Sequence, residues 1–172
     1  MFRSLMRLLV CTSALLLGLG TAQAQVFRLD DSASPQSRVA PKWVLGDHGQ
    51  LLGQARPDLP APTSAQAQFG TIEYRLATAA YVGKRVHIYY VIPASIDGLK
   101  NASGLQVSWR SSGTFASGSA HPGERVRVWS GTVGDALMTQ GLELTMQIDL
   151  RALRLPPSGQ LGFESYFEIE VL

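Results

Sequence analysis

Beyond Phe69 the chain alternates apolar and polar residues with a period of two, the pattern of strands buried on one face. Ile72, Tyr74 and Leu76 alternate with Thr71, Glu73 and Arg75. Val86, Ile88, Tyr90 and Ile92 are opposed by His87, Tyr89 and Val91. That run is apolar on nearly both sides and predicts a central strand, ended by Pro93 because proline cannot donate to a ladder. Leu105, Val107 and Trp109 form a third face, and Val126 and Val128 a fourth. The clearest alternation sets Leu142, Leu144, Met146, Ile148 and Leu150 against Glu143, Thr145, Gln147 and Asp149. A last run carries Leu161, Phe163, Phe167, Ile169 and Val171 against Glu164, Tyr166, Glu168 and Glu170. Gly113 to Gly118 reads as a loop with a short strand around Phe115.

Turn-forming residues separate these runs: Gly83-Lys84, Asp97-Gly98, Ser112-Gly113, Pro122-Gly123, Gly134-Asp135 and the Pro156 to Gly159 segment. The result is about seven strands, with no helix longer than about a turn, around Asp135 to Thr139. Parallel strands need crossovers of about a dozen residues or more, and the connections leave no room for them. The expected fold is therefore all-β, an antiparallel β-sandwich, with an immunoglobulin-like connectivity first and a jelly roll second.

The chain before Phe69 is different. Arg3 and Arg7, an apolar run from Leu8 to Gly20 and the closing Ala22-Gln23-Ala24 form the layout of a secretory signal peptide, with cleavage expected after Ala24. The run is short of the roughly 20 residues that span a bilayer, so no integral membrane anchor is expected. Residues 25–68 read as a Pro-, Ala-, Gln- and Ser-rich extension, and Ala61 to Gln68 as a low-complexity linker unlikely to bury anything. Within it, Trp43-Val44-Leu45, a glycine turn and Leu51-Leu52 suggest a small hairpin or a partner-binding peptide. The expected organisation is signal peptide 1–24, extension 25–68 and sandwich 69–172.

Removing the signal changes the charge balance. Fifteen Lys and Arg residues, less Arg3 and Arg7, leave 13 basic groups against 13 acidic ones. A neutral chain without a basic cluster gives no electrostatic case for nucleic acid. The one cysteine, Cys11, leaves with the signal, so the mature chain has no disulfide, thiol nucleophile or thiolate metal site.

Candidate chemistry is sparse. His48, His87 and His121 are too dispersed in sequence to announce a zinc site, and Asp30-Asp31 lacks the spaced acidic loop of a calcium site. No Gly-x-Ser-x-Gly elbow is present. Glu164, Glu168 and Glu170 share one strand face with Tyr166 and read as a solvated surface. No catalytic residue, metal or cofactor is expected. Trp129 falls out of phase with Val126 and Val128, which leaves two readings: an outer-face indole between Arg125 and Arg127, suited to a sugar ring or a protein partner, or, the favoured one, an indole covered on both faces or packed under the N-terminal extension.

The reading these features favour is a non-enzymatic extracytoplasmic module for protein binding or assembly, a surface-appendage component being one version. It would sit in a bacterial periplasm, at the cell surface or in the medium. Its partner-binding candidates are Trp129, Arg125, Arg127, Trp43 and Tyr166, with self-association through the terminal strand 161–172. The alternative is a carbohydrate-binding module that stacks glycans on Trp129, Tyr81 or Tyr166, and less favoured is a hydrolase without a recognisable motif.

Overall fold

A computed structural model describes residues 25–35, 62–154 and 164–172, and the backbone of 42–45. Among them are strands β1 (Gln25–Arg28), β2 (Lys42–Leu45), β3 (Ser64–Ala77), β4 (Arg85–Val91), β5 (Leu105–Ser111), β6 (Gly118–Ala120), β7 (Arg125–Thr132), β8 (Leu137–Asp149) and β9 (Tyr166–Val171). They form two sheets, ordered β1-β9-β4-β7 and β2-β3-β8-β5-β6, and every neighbouring pair is antiparallel. Only three single-turn 3-10 helices interrupt them among the described residues. The antiparallel β-sandwich expected from the alternation is the fold.

The inward faces are those the period-two pattern marks. Ile72, Tyr74 and Leu76 of β3 are buried, as are Val86, Ile88 and Tyr90 of β4 and Leu142 to Ile148, alternately, of β8. An aromatic seam joins the sheets. Tyr74 and Trp109 come from the five-stranded sheet, Tyr90 and Phe167 from the four-stranded one. Phe167 meets Tyr74 at 5.0 Å and Tyr90 at 4.9 Å, and Tyr90 meets Trp109 edge-on at 5.0 Å. Such tilted and edge-on pairs place a positive ring edge against a negative face. The polar ends are satisfied where they are buried: the Trp109 indole donates to the Ala116 carbonyl at 2.9 Å, and the Tyr90 hydroxyl lies 2.6 Å from Ser165 Oγ. Burial pushes the Tyr90 phenol well above its ordinary value, so it stays neutral in the core.

The structure moves several expected boundaries. The sandwich does not begin at residue 69. β3 starts at Ser64 inside the supposed linker, where Ala65 and Ala67 are fully buried and stand opposite Ile148 and Met146 of β8. Small residues facing large ones fill the layer, and an Ala/Gln alternation hides that signal because alanine is only weakly apolar. β1, also in the extension, pairs along β9, and Leu29 behind it is buried at 2 % exposure. β2 pairs with β3 rather than with Leu51-Leu52, which lies outside the described residues, as do His48, Leu161 and Phe163. Residues 137–139 open β8 instead of a helical turn.

The short strand falls at 118–120 rather than at Phe115, whose ring is buried from a loop. That loop is held by the inward-facing Gln140. Its Oε1 accepts from the Thr114 and Phe115 amides at 3.0 and 3.4 Å, and its Nε2 donates to Thr114 Oγ1 at 3.0 Å. The turns predicted at Gly83, Gly98 and Gly123 are present, each with positive φ.

Candidate functional site

The four-stranded sheet turns β4, β7, β9 and β1 side chains outward in rows set by its registers. One row runs Arg28–Glu168–Tyr89–Arg127 and the next Val26–Glu170–His87–Ser130. Tyr166, Val91 and Arg125 form a third. Arg125 is the hub. Its Nε donates to Glu168 at 2.7 Å, its terminal nitrogen lies 3.5 Å from Glu170, and its guanidinium stacks 3.3 Å above the Tyr89 ring. Tyr89 donates to the same Glu170 oxygen at 2.5 Å, and His87 Nδ1 lies 3.9 Å from it. On the β1 side, the Arg28 guanidinium covers Tyr166 at 4.5 Å and reaches Glu164 at 3.8 Å.

The Tyr89 hydrogen bond, with Arg125 beside it, holds the Glu170 carboxyl below its ordinary value. Partial burial and the carboxylate it donates to push the Tyr89 phenol up. A carboxyl depressed in the folded state adds stability above its unfolded pKa and loses it as pH falls through the folded one. Stability should therefore drop as the wild-type protein is acidified from about pH 6 to about pH 3, and Glu170→Gln should make that drop shallower. Denaturant midpoints across that range measure it. Equal slopes in both proteins would show that Glu170 carries none of the acid sensitivity.

Of the residues proposed from sequence, Arg125 and Arg127 do share this outer face. Arg125 is consumed by its partners, while the Arg127 side chain is exposed and makes no ion pair with another described residue. Tyr166 of β9 lies under Arg28, two strands from the edge strand β7. Trp43 belongs to β2, in the other sheet, opposite Ala67. Trp129 packs inward instead of standing on the outer face. The β4–β7 register shifts between Ile88 and Tyr89, leaving Val128 as an extra residue and bringing Trp129 opposite the inward Ile88. Its half-buried indole packs against the core over Gly131, where a Cβ would come within 2.8 Å of the ring. Period-two counting fails across a bulge because one added residue reverses every later side chain. Tyr81 sits elsewhere, against Phe27 at 6.1 Å, so the three supposed stacking aromatics share no platform.

Tyr89 is the member that sequence reading did not join to Glu168 and Glu170. Their common face was legible strand by strand, but only the pairing of β4 with both β7 and β9 sets the arginine between them.

The opposite outer face has another chemistry. Gln66, Gln147 and Gln106 stand side by side across β3, β8 and β5, and none makes a side-chain hydrogen bond to another described residue. The row ends in a shallow cleft of about 330 Å³ that includes Ser103, Gln106, His121, Gln147 and Asp149. His121 Nδ1 donates to the Leu105 carbonyl at 2.7 Å, which leaves Nε2 as the acceptor of the neutral ring. These amides, hydroxyls and the imidazole stand beside the Asp149 carboxylate, which is paired with Arg151 at 2.9 Å. Among the described residues, no three His, Cys, Asp or Glu side chains gather to hold a metal. No helix among them is long and apolar enough to cross a membrane. No protein-family model, curated protein or solved structure matches this chain.

Proposed function

We propose that this chain is an exported, non-enzymatic module that assembles with further copies of itself by strand addition at β1. The observation that carries the reading is the contrast between the two edges of the four-stranded sheet. β7 is a defended edge. It is bulged at Val128, whose carbonyl already accepts the Ala116 amide at 2.7 Å, and it carries Arg125 and Arg127 outward. Bulges and edge charges are what keep strands from pairing with strangers. β1 has neither a bulge nor a partner on its outer side among the described residues; its one charge, Arg28, is turned back onto Tyr166 and Glu164, and Val26 and Phe27 stay 45 % and 43 % exposed, the latter beside Tyr81. An unprotected edge with apolar side chains is a template for another strand.

The contact moves from where the sequence placed it. β9, the terminal strand, is flanked by β1 and β4 and has no free edge. Two β1 strands related by a two-fold axis pair antiparallel and extend the four-stranded sheet across both copies. The export layout of residues 1–24 supports an assembly outside the cytoplasm, and a sequence without a basic run supports one without nucleic acid.

The test is light scattering of the processed protein over a concentration series. A concentration-dependent dimer or larger oligomer is expected. Val26→Lys should weaken it by about tenfold or more, since it replaces an exposed apolar side chain of the edge with a charge, the device that keeps edge strands from pairing. A monomer at every concentration overturns self-assembly, and an oligomer indifferent to Val26→Lys removes β1 from it.

A further inference from the structure

The strand that forms the open edge begins at Gln25, the residue that follows Ala22-Gln23-Ala24. Cleavage after Ala24 therefore frees an α-amine on the first residue of β1 itself, with no tail in front. That residue is a glutamine, whose own side chain ends in a carboxamide within reach of the new amine. The Gln25 side chain is exposed and makes no hydrogen bond to another described residue, so no described residue holds the carboxamide away.

We infer that Gln25 is a modification site, converted after export to an N-terminal pyroglutamyl residue. The inference rests on the export reading above. The α-amine attacks the side-chain Cδ, a bond forms between N and Cδ, the bond from Cδ to Nε2 breaks, and ammonia leaves with a proton from the amine. The sum is the loss of one ammonia, and no oxidant, reductant or co-reactant enters.

The fold gives the product a use. A charged terminus at a strand end keeps its water or is stripped of it at a cost, and ring closure removes that charge. The lactam retains one N–H and the carbonyl, so the residue keeps both kinds of backbone group for its place opposite Val171. An aminopeptidase that grips a free α-amine finds none. Exposed termini are where proteolysis concentrates, and β1 has only four residues, so trimming two would halve the edge strand.

The experiment is intact-mass measurement of residues 1–172 expressed in an exporting host and recovered from its extracytoplasmic fraction, with Gln25→Ala in parallel. The expected wild-type mass is that of residues 25–172 less one ammonia. The sample should resist sequential N-terminal degradation until treated with pyroglutamyl aminopeptidase. Gln25→Ala should be cut at the same bond, lose no ammonia and degrade normally. Residues 25–172 with a free amine would overturn the modification while leaving export intact. An uncleaved chain, or one cut at another bond, would overturn the export reading and the modification with it.

Discussion

Trp109→Ala is expected to lower the stability of the sandwich by about 3–5 kcal/mol, with an unchanged denaturant slope. The indole is 2 % exposed and touches Tyr90 from the facing sheet at 5.0 Å. Its N–H donates to the Ala116 carbonyl in the loop before β6. Gly118, on the neighbouring strand, leaves room for the ring: a Cβ there would come within 2.9 Å of it. Alanine thus empties a space whose walls are two sheets and cannot close without moving β6. The loss combines the transfer of a large aromatic with the void it leaves. Trp109→Phe should fall between wild type and alanine, because a ring remains while the Ala116 hydrogen bond is lost. Urea midpoints for the three proteins decide it. A cost under about 1 kcal/mol for alanine would mean that the indole does not join the sheets as described.

Phe167→Ala should be comparably severe, about 3–5 kcal/mol, for a different reason. Phe167 is fully buried at the centre of the seam, with Tyr74, Tyr90 and Phe115 around it at 5.0, 4.9 and 5.9 Å. Its backbone carbonyl accepts the Leu29 amide at 2.8 Å, and that bond survives the substitution. The variant therefore tests ring packing apart from strand pairing. Phe167 and Trp109 both pack on Tyr90, so the double variant should lose measurably more or less than the sum of the singles. Simple additivity would argue against a coupled seam. Either single loss is a large share of the roughly 5–15 kcal/mol that a domain of this size holds in reserve.

The two outer faces divide the surface between different chemistries. On the four-stranded sheet, Arg125 gathers Glu168, Glu170 and Tyr89 into a closed network, and a group already satisfied at home has little to offer a partner. What that sheet leaves open is its edge at β1. On the five-stranded sheet the Gln66–Gln147–Gln106 row makes no side-chain hydrogen bond to another described residue. Assembly through β1 and contacts across the glutamine face would not compete, since they belong to different sheets.

The local pattern determined a good deal. Alternation alone marked the buried faces of β3, β4, β5 and β8 and placed Trp109 in the core, because a side chain's face on a strand depends only on its parity, and the short connections between runs excluded helical crossovers. Tertiary structure decided what parity cannot carry. The bulge at Val128 turned Trp129 from an outer-face platform into a rim residue over Gly131, since one inserted residue reverses the faces that follow. The alanines of β3 became core because Ile148 and Met146 stand opposite them, a fact of pairing and not of hydropathy. Strand order made β9 interior and β1 the exposed edge, although β9 carries the more obvious strand sequence. A strand's face is written within it, whereas its neighbours are chosen by the whole chain, and an open edge exists only once those neighbours are fixed.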